Sequence, residues 1–218
     1  MTRTALASEF LLLFVGLPLA YRFSPVQVPP LPLLWAVAGY ALWQLLRDPR
    51  FDRTKLWNID RLPRRLGVIL AIFVVVALAI WLGVRRFAPQ SEWSLVRPHP
   101  VFWAVVMVAY PAASVYPQGV LYRAFFFERY SELFPGKWAM ILASATVFAF
   151  LHIIFRNWLA VDLTFAGGLL FAARYAETES LAASNFEHAL YGCWLFTVGL
   201  GQYFYHGTIE AVGSALRW

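Results

Sequence analysis

A single cysteine, Cys193, leaves no room for an internal disulfide framework, and in its apolar setting it reads as a packing residue with no redox role. Charge is also scarce. Asp, Glu, Lys and Arg make up 14% of the chain, well short of the roughly 25% usual in soluble domains, so a fully water-facing surface is excluded. No stretch alternates polar and apolar residues at period two, which argues against a membrane β-barrel. A Gly-x-Ser-x-Gly elbow, a Walker loop and a dinucleotide fingerprint are all missing.

What the chain does have is apolar length. Hydrophobic residues account for 61%, and the mean hydropathy is +0.60. Several runs of about 17 to 25 residues can each cross a ~30 Å hydrocarbon layer as a helix. The expectation is an all-α, polytopic transmembrane bundle of about eight helices, forming one integral membrane domain over residues 1–218 with no internal repeat. The net charge of +6 is not spread over a soluble face interleaved with aromatics, so no nucleic-acid partner is expected. The basic residues gather between Arg47 and Arg65. That places the loop 47–66 on the cytoplasmic side near anionic headgroups, with the lipid bilayer as a partner.

In chain order, an apolar run over 5–21 opens the sequence. Pro18, Leu19 and Ala20 resemble a cleavage region, but Glu9 interrupts the core and the run is long, so a retained first helix is expected. Glu9 is expected to snorkel to the headgroups rather than face a partner inside. A Pro-rich turn over 24–32 leads to a second helix, 33–46, and a third, 67–84, is apolar on all sides and faces lipid. A fourth starts at Val101 and is expected to end near Ser114, because Pro111 and Pro117 each remove an amide donor. A fifth then runs to Phe134, stopped by Pro135 and Gly136. The sixth covers 137–154, the seventh 159–175 and the eighth 181–205.

The stretch 116–130 organises the rest. It is apolar enough for a bilayer yet carries Gln118, Arg123, Glu128 and Arg129, groups that are costly there unless paired or wetted. Gly119 and Arg123, Phe148 and His152, and His188 and Gly192 are each four apart and so share a helix face. A glycine one turn from His188 leaves space beside the imidazole. With helices alternating in direction, Gln118 and His152 fall at one membrane level, on the cytoplasmic side. His188 then needs a cavity reaching toward mid-membrane.

In order and spacing these residues resemble the CAAX protease and bacteriocin-processing family (CPBP, or Abi) of intramembrane proteases. That family's pattern is Glu-Glu-x-x-x-Arg, then Phe-x-x-x-His, then His-x-x-x-Asn or a close variant on a later helix. Gln118, Gly119 and Arg123 align with the first motif, Phe148 and His152 with the second, and His188 and Gly192 with the third. Gly167, Gly168 and Leu169, and Ser180 with Leu181, look similar too, so the resemblance covers residues 110–205. It implies a glutamate that activates water with histidine, and a histidine and an asparagine that steady the oxyanion. The chain departs at the acids. The amide of Gln118 does not titrate, Gly119 has no side chain, and Gly192 offers no side-chain donor.

A substitute acid is hard to find. Glu128 lies about 15 Å along the axis from Gln118, and Glu187 diverges from His188 by about 100 degrees. Glu9 or Asp162 reach the site only through tertiary folding. For zinc, His152 and His188 lack a third ligand nearby, and the i, i+4 pair His206 and Glu210 lies far along the last helix, so no metal or cofactor is expected. The sequence therefore points to a pseudoprotease of CPBP type in a bacterial inner (cytoplasmic) membrane, serving as scaffold, assembly factor or accessory subunit to a membrane-protein partner. The alternative is an active endopeptidase that uses His152, His188 and an acid not identified.

Overall fold

The computed structural model describes residues 2–26 and 28–204. All regular structure among them is helical, as a membrane-spanning chain requires when each backbone N–H must find its acceptor within its own segment. The protein is an integral membrane helical bundle. Seven long helices occur among the described residues: α1, Arg3–Phe23; α2, Pro30–Arg47; α3, Leu62–Phe87; α4, Pro100–Arg129; α5, Lys137–Leu151, prolonged by a tight turn at His152–Phe155; α6, Trp158–Thr178; and α7, Leu181–Val198. Of these, α1, α3, α4, α5 and α6 are long and apolar enough to cross a membrane.

The expected break between a fourth and a fifth helix does not occur. Residues Pro100–Arg129 form one 30-residue rod that widens at Pro111–Val115 and again at Val120–Phe125. Neighbouring helices supply donors to the carbonyls one turn before each proline. Trp35 Nε1 of α2 donates to Ala113 O at 2.9 Å, and the Cys193 thiol of α7 lies 3.9 Å from Met107 O. The eighth helix, expected to reach Tyr205, ends at Val198. Gly199 takes a left-handed conformation (φ +98°) and brings the chain against Ser91 O, an approach that leaves no room for a Cβ.

Merging two spans reverses the direction of every helix after them. α3 leaves the basic loop, α4 returns and α5 leaves again. Lys55 Nζ meets Glu179 at 2.7 Å, and the Ser180 hydroxyl, which caps α7, donates to Asn58 O. The α6–α7 turn therefore shares the face of the basic loop. On the other face Arg156 donates to Arg22 O and Gln202 to Ser91 Oγ. His152, at the far end of α5, thus lies away from the basic loop, which corrects the expected cytoplasmic side for it, although it lines the same cavity as Gln118. Gln118 is about 16 Å in from the Arg129 end of α4, and His188 about 10 Å in from the start of α7.

Glu9 does not snorkel. Its carboxylate accepts from Arg129 Nε and Nη2 at 2.9 and 2.8 Å, from Tyr130 Oη at 3.0 Å and from Tyr40 Oη at 3.3 Å. An inward carboxylate is tolerated here because all these donors converge on it. Phe14, Tyr122, Phe126 and Tyr130 pack edge to face nearby and are buried, so the knot ties α1 and α2 to the end of α4.

Candidate functional site

A cavity of about 1070 Å³ lies inside the bundle, and all seven helices contribute to its wall. The wall is mostly aliphatic and aromatic. Its polar members include Tyr110, Ser114, Gln118, His152, His188 and Tyr191. Of the positions singled out by the motifs, Gln118, Phe148, His152, His188 and Gly192 line this one cavity, whereas Gly119 and Arg123 sit behind its wall.

Phe148 holds the group together. Its ring centroid is 4.9 Å from that of His152, 5.4 Å from that of His188 and 4.4 Å from the guanidinium carbon of Arg123. His152 Nδ1 donates to Phe148 O at 2.7 Å; a carbonyl only accepts, so Nδ1 carries the proton and Nε2 keeps its lone pair. His188 stacks on Phe171 at 4.6 Å, its Nε2 shares a hydrogen bond with the Tyr110 hydroxyl at 3.3 Å, and its Nδ1 is buried without a partner. Gln118 Nε2 donates to Ser114 Oγ at 2.7 Å, leaving Oε1 buried and unpartnered. Arg123, 1% exposed, lies against the Phe148 and Phe171 rings. Its Nη1 reaches Gln118 O at 3.5 Å, while Nε and Nη2 have no acceptor.

Two residues of this site escaped the sequence reading. The space expected beside His188 at Gly192 is taken by Tyr110, since a Cβ at 192 would lie 2.3 Å from its ring and hydroxyl. With a break after Ser114, Tyr110 falls on a different span from Gln118. On a continuous α4 it stands about two turns before Gln118. The notch at Gly119 is filled in the same way by Asn185, which precedes His188 by three positions and so shares its face of α7.

No carboxylate reaches the cavity wall among the described residues. Glu9 is held by Arg129. Glu187, fully buried, faces away from the cavity and pairs with Arg174 at 3.0 Å. Asp162 is exposed, and Glu128 is half-buried at the end of α4. No three His, Cys, Asp or Glu side chains come together as metal ligands among the described residues, and His206 and Glu210 lie outside them. Chemically, the wall can enclose an apolar group and hydrogen-bond a small polar one. For hydrolysis it offers the lone pair of His152 Nε2, but no acid to orient that base and no side-chain donor at 192.

Residues 97–194, which contain every polar residue of this cluster, match the family described as Type II CAAX prenyl endopeptidase Rce1-like. Over that segment the chain is similar to this family, the same group of proteases that its motifs resemble. No curated protein and no solved structure matches the chain.

Proposed function

We propose that this Rce1-like membrane protein is a pseudoprotease that acts as a membrane-embedded scaffold, assembly factor or accessory subunit of another membrane protein. The observation that carries the reading is the cavity wall, where Gln118 takes the place of an acid and no carboxylate arrives from elsewhere among the described residues. Both histidines are kept, yet Phe148 O and Tyr110 hold them where the family's chemistry would call for an acid. No metal or cofactor enters this role. A cavity kept without its chemistry is a binding feature, and it supports a role in holding a partner.

We place the basic loop on the cytoplasmic side of a bacterial inner membrane. The charge of 47–65 supports this, as does Arg47 stacked at 4.7 Å on Trp43, an interfacial anchor. Native mass measurement after extraction in a mild detergent tests the role: a membrane-protein partner at fixed stoichiometry is expected, and a chain that always travels alone would overturn it. The competing reading, an active endopeptidase, is favoured by the lone pair on His152 Nε2. Cleavage of a membrane peptide separates the two.

A further inference from the structure

Gly119 leaves a notch in α4 one turn before Arg123, at the position from which a longer side chain would meet the guanidinium as its i, i+4 partner. The side chain of Asn185, on α7, fills that notch. A Cβ on residue 119 would stand 2.0 Å from Asn185 Oδ1, 2.7 Å from Cγ and 2.8 Å from Nδ2, so no side chain at 119 coexists with the carboxamide where it lies. Oδ1 is buried with no donor, and Arg123 Nε and Nη2 are buried with no acceptor. Arg129 and Arg174 each have a carboxylate, from Glu9 and Glu187, whereas Arg123 has no ion-pair partner among the described residues.

We propose that Asn185 stands in for the side chain missing at 119. Its carboxamide, delivered from α7, occupies the place of Arg123's acid partner and keeps that place neutral. The inference rests on the pseudoprotease reading and adds the residue that locks the site in that state. A carboxamide does not titrate, and its presence shuts out a carboxylate restored at 119.

A reciprocal exchange tests this in the full-length, detergent-solubilised protein. Gly119→Glu alone drives a side chain into the carboxamide, and the apparent melting temperature is expected to fall by roughly 5 °C or more, as overpacking does in a chain of this length. Adding Asn185→Gly empties the notch, lets the new carboxylate face Arg123 and returns the melting temperature to within about 3 °C of the parent. Gly119→Leu with Asn185→Gly is the control. It has similar bulk but no acceptor for Arg123, and it is expected to stay low. If Gly119→Glu alone melts like the glutamate exchange, Asn185 does not close the position. If the leucine and glutamate exchanges melt alike, high or low, the notch is not a place for an acid. Peptide cleavage by the parent chain would overturn the pseudoprotease reading instead, and it is measured separately from these melting temperatures.

Discussion

Arg174 and Arg123 are both buried guanidinium groups, and they differ in what meets them. Arg174 has Glu187 at 3.0 Å and Glu177 at 3.1 Å, while Arg123 has a backbone carbonyl and two aromatic faces. Removing a charge from a buried pair leaves the other uncompensated, so Glu187→Gln is expected to destabilise the protein by about 3 kcal/mol. In a thermal melt this reads as a fall of roughly 10 °C. Glu128→Gln, at a half-buried end position, is expected to change stability by less than about 0.5 kcal/mol. Equal losses for the two would show that the ion pair of Glu187 carries no special weight. At this scale the sequence showed which groups are polar and which share a face, and so led to Gln118, His152 and His188. It could not show Tyr110 or Asn185, because each reaches its place from across the bundle, into a space that a glycine leaves on the facing helix.

At the scale of the element, α4 shows why prolines misled the sequence reading. By local rules alone, a missing N–H ends a helix. The local penalty is real, but Trp35 Nε1 supplies a donor to Ala113 O from another helix. Trp35→Phe keeps the ring and removes the donor, and is expected to destabilise the fold by about 1 to 2 kcal/mol. Adding Pro117→Ala restores an amide N–H to the rod and is expected to recover most of that loss. Thermal melts of the single and double variants check this, and an unaltered melt for Trp35→Phe would show that the indole is not needed to keep α4 continuous. The end of α7 is a simpler case. Gly199-Leu200-Gly201 carries a helix-stop signal that the long apolar run concealed.

For the whole molecule, composition and run length were enough for an all-helical membrane bundle, and the motifs pointed to the family that residues 97–194 match. Helix count and direction were not, because they turn on whether two prolines end a span. The consequence is measurable by side-specific thiol labelling in a Cys193→Ser background, in which the hydroxyl can still donate to Met107 O. Arg50→Cys and Glu132→Cys are expected to label from one side of the membrane, and Gln90→Cys from the other, all three positions being exposed. Two separate helices over Pro100–Arg129 would place Glu132 with Gln90 instead. The same count fixes where the cavity lies: its wall runs from Gln118 and His188 inside the bundle to Val28, Ser94 and Gln202 on the face opposite the basic loop.

The most direct test of the central claim is hydrolysis of a prenylated CAAX-terminated peptide in liposomes that carry the full-length protein, followed by mass spectrometry of the peptide. With Gln118 and Gly119 at the acid positions, cleavage is expected to equal that of protein-free vesicles and to be unchanged by His152→Ala. Product formed by the parent chain and abolished in a folded His152→Ala variant would contradict the account, and would mean that an acid outside the cavity wall described here completes the site.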